Sequence, residues 1–228
     1  MVVSSHVIEE LDGALVDSGL NSSLNLVPAE DPNDVGNASP GLKILVVLAI
    51  IGPFAANGDA VLDTDGEALN SGSEYFILPV NGGGLRLQMR NNTCPMYVNY
   101  EKDNDGLPVV FTPYLSGTVI EENADLTVVT SAFTICIQST RWVIATDSDL
   151  NKRFIATGGD SSSSSIDLNY FKIVKSDNYY QLVFCPTVCD TCRPACGSLA
   201  TYSDEDGNEW LVVDQDDSLP FQVQFKKA

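Results

Sequence analysis

Histidine is almost absent from this chain. The only one is His6, so residues 59–228 contain no imidazole. A Ser–His–Asp or Cys–His catalytic site cannot be assembled there, because both use imidazole to take the nucleophile's proton. Basic residues are scarce as well: 12 Lys and Arg stand against 31 Asp and Glu, a formal net charge of −19. That balance excludes a sequence-independent nucleic-acid binder, which needs a basic footprint. It also argues against an anionic membrane surface as partner. Apolar runs are short. The run Ile44 to Ile51 falls well below the roughly 20 residues of a membrane span. Helical periodicity is missing too: no part of 59–228 sustains a 3.6-residue pattern over about a dozen residues.

What is present begins with a leader. Residues 42–58 read LKILVVLAIIGPFAANG: a lysine, an apolar run, a Gly52-Pro53 break, then small residues at Ala55 and Ala56. This is the layout of a secretory signal peptide with cleavage near Asn57–Asp59. Upstream, residues 1–41 hold seven acidic residues and no Lys or Arg. They are read as a disordered extension or a mis-assigned start, since an exported chain would begin near Leu42. The part after cleavage, 59–228, retains 11 basic and 24 acidic residues, a net charge of −13.

That part reads as strands. Glu74–Pro79, Leu85–Met89, Leu107–Thr112, Phe133–Gln138, Trp142–Thr146, Asn169–Val174, Tyr180–Cys185, Trp210–Val213 and Phe221–Phe225 are short, and several alternate apolar with polar residues. Turn residues separate them: Asp65-Gly66, Asn81 to Gly84, Asp105-Gly106, Gly158-Gly159 and Asp206-Gly207. About a dozen short strands with this punctuation predict an all-β sandwich or barrel relative. A faint echo links Asp63-Thr-Asp65-Gly66-Glu67 with Asp204-Glu-Asp206-Gly207-Asn208, and Asp147-Ser-Asp149 lies between them. Three similar turns would suit a threefold trefoil.

Six cysteines are present: Cys94, Cys136, Cys185, Cys189, Cys192 and Cys196. In an exported chain an even count implies disulfides. Cys189-Asp-Thr-Cys192 lacks the βαβ surroundings of a redox motif, and two nested disulfides are expected over a four-thiolate zinc site. The Asp-x-Asp turns lack the glycine that a calcium loop needs at its sixth position. No metal and no cofactor is called for. Ser161–Ser165 reads as a flexible loop tip. Asn91-Asn92-Thr93 is a glycosylation sequon, with Asn91 as the acceptor.

The run from Ala60 to Ile77 resembles the N-terminal signature of the plant Kunitz (soybean trypsin inhibitor-type) protease inhibitors. Val61, Asp63, Asp65-Gly66, Leu69, Tyr75 and Ile77 occupy its positions. Thr134 to Trp142, Phe171 to Pro186 and the closing run from Pro220 extend the resemblance over 59–228. It implies a β-trefoil of twelve short strands with a pseudo-threefold axis. It implies the bridges Cys94–Cys136 and Cys185–Cys196, with Cys189–Cys192 as the extra bridge of six-cysteine members. It also implies a secreted (apoplastic) or vacuolar monomer without enzyme activity, whose partner is a protease, most often of the serine class.

The family inserts one rigid loop into the protease as a substrate would. Here the matching run is Pro113, Tyr114, Leu115, Ser116 and Gly117, with Leu115–Ser116 as the expected reactive bond. Trypsin inhibitors carry Arg or Lys where Leu115 stands, and no Lys or Arg occurs from Asp103 to Thr140. An uncharged leucine leaves the aspartate of a trypsin pocket unpaired and suits an apolar pocket instead. A chymotrypsin- or subtilisin-like target is therefore expected. The family braces its loop with an Asn whose place is taken by Ser71, beside Asn70. The alternative expectation is a non-inhibitory trefoil: a storage albumin, a miraculin-like or a carbohydrate-binding protein. Inhibition of cysteine or aspartic proteases through another surface is a third.

Overall fold

The computed structural model describes residues 58–158, 166–214 and 221–228. The expected extension, nearly all of the expected leader, the serine run and Pro220 lie outside them. Twelve strands follow in chain order: β1 (Glu74–Pro79), β2 (Gly84–Met89), β3 (Met96–Glu101), β4 (Val109–Pro113), β5 (Leu126–Thr130), β6 (Trp142–Asp147), β7 (Lys152–Thr157), β8 (Lys172–Ser176), β9 (Tyr179–Phe184), β10 (Gly197–Ser203), β11 (Glu209–Asp214) and β12 (Gln222–Lys227). One 3₁₀ turn, Ile166–Asn169, precedes β8. Among the described residues no helix is long and apolar enough to cross a membrane.

Six strands form a barrel. β1 pairs antiparallel with β12 and β4, β4 with β5, β8 with β9, and β9 with β12. The bridge between Leu126 and Phe171 closes the ring from β5 to the entry of β8. Closure removes the unpaired edges that would otherwise invite association. Period-2 alternation turns Tyr75, Ile77, Val109, Phe111, Val128, Leu182, Phe184, Val223 and Phe225 inward, and all are buried. Edge-on ring pairs such as Phe111–Phe225, with centroids 5.4 Å apart, fill the centre.

The other six strands make three hairpins, β2–β3, β6–β7 and β10–β11. Each inner strand touches the other two, through β3–β7, β7–β11 and β3–β11. A six-strand barrel capped by a triangle of hairpins is a β-trefoil. On the triangle Phe154, Trp210 and Val212 form a second buried cluster. The Arg90 guanidinium lies 3.9 Å from the Phe154 ring centroid, a cation–π placement.

The turn echo has a local cause. Asp63 Oδ1 accepts from the amides of Asp65 and Glu67, both at 3.0 Å. Asp204 Oδ1 accepts from those of Asp206 at 3.1 Å and Asn208 at 2.8 Å. Gly66 and Gly207 follow with φ of 82° and 83°, where a side chain is strained. The Asp204 turn joins the hairpin strands β10 and β11, as the Asp147 turn joins β6 and β7. The Asp63 turn instead closes the small bridge of Leu62 with Ala68. The likeness is therefore one of turn chemistry rather than a threefold sequence repeat.

Two sequence expectations need correction. Phe133–Gln138 is not a strand. Thr130 N donates to Thr140 O at 3.1 Å, which closes a loop neck just after β5. The apolar alternation of Phe133, Ile135 and Ile137 faces solvent rather than a core. Likewise Asn169–Val174 begins in the 3₁₀ turn, and its strand starts only at Lys172. Strands β3, β5, β7 and β10 escaped notice. Sequences such as MYVNYE and KRFIAT mix polar residues into both faces, because hairpin strands pack on two sides.

Candidate functional site

The connection from β4 to β5 carries the expected reactive run. β4 and β5 stay paired to their last residues, with Pro113 opposite Leu126. One step further Tyr114 N donates to Asp125 O at 2.8 Å. This bond is the first foot of the loop. The second foot lies at Thr118, whose carbonyl accepts from Ser71 N at 2.8 Å. Asn70 then bridges Val119, and Ile120 N donates to Leu69 O at 2.8 Å. The segment before β1 thus holds the returning chain of the loop by backbone bonds.

Between the feet, Leu115 is 75% exposed, and Ser116 and Gly117 are exposed beside it. Among the described residues no hydrogen bond reaches Leu115, Ser116 or Gly117. The Asn70 side chain turns away and donates to Ala68 O at 2.9 Å. The contribution of Asn70 and Ser71 therefore runs through the main chain to Val119 and Thr118. It does not run through side chains to 113–117. Behind the loop opens a cavity of about 350 Å³, walled by Pro113, Tyr114, Val119, Ala124 and Asp125.

Three contacts steady the loop's flank, and none of them is signalled by a local sequence pattern. The Tyr114 ring meets the Tyr170 ring edge-on, with centroids 5.3 Å apart. The Asp125 carboxylate accepts from Thr187 N at 3.1 Å and from the Thr187 hydroxyl. Lys172 Nζ stands 3.7 Å from the same carboxylate. Partners so far apart in the chain leave no local pattern. No Lys or Arg lines the cavity or the loop, so the surface offered to a partner is apolar at Leu115.

All six cysteines are bonded. Cys94 pairs with Cys136, Cys185 with Cys196 and Cys189 with Cys192. A thiolate zinc site is thereby ruled out, since no sulfur is free. The first bridge joins the end of the β2–β3 turn to the loop after β5. The other two sit in the β9–β10 connection, near Thr187. Asn91 lies exposed in the β2–β3 turn, where it and Asn92 both have φ of 54°. Asn tolerates that left-handed geometry better than most residues.

Comparison with known proteins bears on this arrangement. Residues 61–227 match the legume-type Kunitz family, described as trypsin and protease inhibitor. The chain is 36% identical over 199 residues to Kunitz trypsin inhibitor 4 of Arabidopsis thaliana, covering 82% of this chain and 91% of that one. It is 33% identical over 200 residues to the alpha-amylase/subtilisin inhibitor of Oryza sativa subsp. japonica, covering 82% and 94%. The solved structure of the Kunitz-type cysteine protease inhibitor from potato superimposes with a TM-score of 0.65 at 30% identity, covering 75% of this chain and 98% of that one. The trefoil, the bonded cysteines and these matches together place the chain in the plant Kunitz family, whose members are protease inhibitors rather than enzymes.

Proposed function

We propose that this protein is an exported endopeptidase inhibitor that presents residues 113–117 to a serine protease as a substrate would, with Leu115–Ser116 as the reactive bond. One observation carries the reading: Leu115 is 75% exposed at the apex of a loop whose two feet are tied by backbone bonds. A loop fixed at both feet forgoes much of the ordering cost of binding. Cleaved ends held in place would also favour resealing over hydrolysis. The target has an apolar primary pocket, as chymotrypsin- and subtilisin-like enzymes do, because no cation is available for an acidic one. Named relatives point to trypsin, subtilisin, α-amylase and cysteine proteases, so the target is read from this chain's own residues. We further propose secretion or vacuolar delivery, cleavage near Asp59, a glycan at Asn91 and a monomeric state.

The test is inhibition of a protease panel by the purified protein. Chymotrypsin or subtilisin inhibition at micromolar protein or below, weakened by Leu115→Gly, is the expected result. Full activity of both enzymes under those conditions would sink the reading. A second reading, a non-inhibitory trefoil, draws on the unbonded stretch Leu115–Gly117 over a cavity. It predicts no protease binding, and binding on a glycan array in the carbohydrate-binding case.

A further inference from the structure

The most exposed large apolar side chains of the described residues are not in the reactive run. They are Phe133 at 110%, Ile137 at 103% and Ile135 at 79% exposure, all in the loop between β5 and β6. Values near or above 100% mean that these side chains stand clear of the surface. Scattered apolar residues need no explanation, but three on one short loop do.

The loop is built to hold them there. Its neck is closed by Thr130 N to Thr140 O at 3.1 Å and by the Thr140 hydroxyl to Thr130 O at 2.6 Å. Ser131 N donates to Pro108 O at 2.8 Å. Inside the loop, Cys136 O accepts from the Thr134 hydroxyl at 3.0 Å and from Gln138 N at 2.8 Å. Cys136 itself is buried and bonded to Cys94. The inward cysteine thus pins the loop from below, while Phe133, Ile135 and Ile137 point outward on either side of it.

We propose that this loop, residues 131–140, is a second protease-docking element that seats Phe133 in the apolar primary pocket of a chymotrypsin-like endopeptidase. The proposal rests on the reading of the chain as a protease-binding inhibitor, but not on Leu115. A convex loop needs a concave partner, and an apolar one needs an apolar pocket. A substrate cleft offers both, and an aromatic side chain fills the hydrophobic slot of chymotrypsin-like enzymes. From Leu126 to Thr140 the chain carries no charge, so no group would be buried unpaired in that slot. A net charge of −13 over 59–228 repels an anionic bilayer, the other apolar sink for such a loop.

Geometry allows both loops to act at once. The first loop enters β5 at Leu126, and the second leaves it at Thr130. They therefore project from opposite ends of one strand, about 13 Å apart along its axis at 3.3 Å per residue. Two protease molecules could approach from opposite directions.

The experiment is sedimentation velocity of the full chain with excess inactive chymotrypsin, repeated for L115E, F133D and the double variant. Two proteases per chain are expected for the natural protein, one for each single variant and none for the double. F133D should weaken the second site by about 30-fold or more, the mark of a central anchor. Circular dichroism checks that each variant keeps the fold, and Phe133→Leu should retain most of the binding. If F133D leaves protease binding unchanged, the inference is overturned. If L115E is silent while F133D abolishes binding, the reading of Leu115 fails and the second site stands. Sedimentation with phosphatidylcholine vesicles, or self-association without protease, that is lost in F133D while protease binding is kept would overturn it in favour of a membrane or a second copy.

Discussion

Strand β5 carries an exposed apolar loop at each end, and the two loops are held in opposite ways. The loop before it, 113–117, is fixed only at its feet. Its apex makes no hydrogen bond among the described residues, and a cavity of about 350 Å³ lies behind it. The loop after it is closed at the neck, bonded internally at Cys136 O and covalently stapled to Cys94. The resemblance to known inhibitors points to the first loop. Its apex has fewer restraints than the second loop, although both of its feet are tied. The stiffness that favours substrate-like binding is thus not confined to the proposed reactive run.

The largest break of this contrast is removal of the staple. The Cys94–Cys136 bridge spans a sequence separation of 42. In the chain-entropy account such a link contributes about 4 kcal/mol. Cys94→Ser with Cys136→Ser should lower unfolding free energy by roughly that amount in a urea titration. Binding through Phe133 should fall with it even at temperatures where the barrel stays folded. If binding at the second loop survives, its rigidity comes from the neck and the internal bonds to Cys136 O.

Next comes Leu115, the proposed specificity side chain of the first loop. In the F133D background, Leu115→Gly should weaken chymotrypsin inhibition by about 2 kcal/mol, near 30-fold, the value of burying a leucine side chain. Leu115→Arg should gain trypsin inhibition, since a guanidinium can pair with the pocket aspartate. No gain would mean that the feet do not present the apex to a cleft.

These two loops also mark what the sequence made legible. Barrel strands such as EYFILP and FQVQF alternate cleanly, because one face meets the core and the other meets water. Alternation alone misread FTICIQ, whose apolar residues have no core to meet. Only the neck bonds and the bridge reveal that it is a loop. Residues 113–117 were legible as a run of residue types, and Leu115 is indeed exposed. The flank formed by Asp125, Thr187, Lys172 and Tyr170 was not legible, because it joins β5, β8 and the β9–β10 connection across the fold. Where the family's bracing Asn is replaced by Ser71, beside Asn70, the contacts to the returning chain at Thr118 and Val119 are main-chain bonds, which no side-chain pattern records.

A smaller effect tests that flank. Thr187→Val removes the hydroxyl bond to Asp125 and keeps the shape, with an expected loss of about 1 kcal/mol. Its signature should be local. Amide exchange at Tyr114 should quicken, while Thr130 and Gln138 at the other end of β5 keep their protection. Equal change at both ends would mean that β5 transmits the disturbance and that the loops are not independent.

The smallest expected difference is one of pH. Asp147, at the β6–β7 turn, accepts from the amides of Leu150 at 3.0 Å and Asp149 at 3.1 Å, and its other oxygen faces Arg90 at 3.3 Å. The Leu150 bond foremost, with help from Arg90 and against a desolvation penalty, holds this carboxyl below its usual range. A depressed folded value means that the contribution is complete above the unfolded value of about 3.9 and fades as pH falls through the folded one. Arg90 begins the turn that leads to Cys94, with its carbonyl accepting from Thr93 N at 3.3 Å. The anchor of the second loop should therefore loosen slightly in acid. The second foot of the first loop, Ser71 N to Thr118 O, is a backbone bond between two residues that carry no titrating group. Amide shifts followed from about pH 5 to pH 2.5, bracketing that range, should move at Thr93 and Cys94 and stay flat at Thr118. Asp147→Asn should remove the movement. A shift that persists in that variant would place its origin elsewhere and leave the two anchors equal in acid.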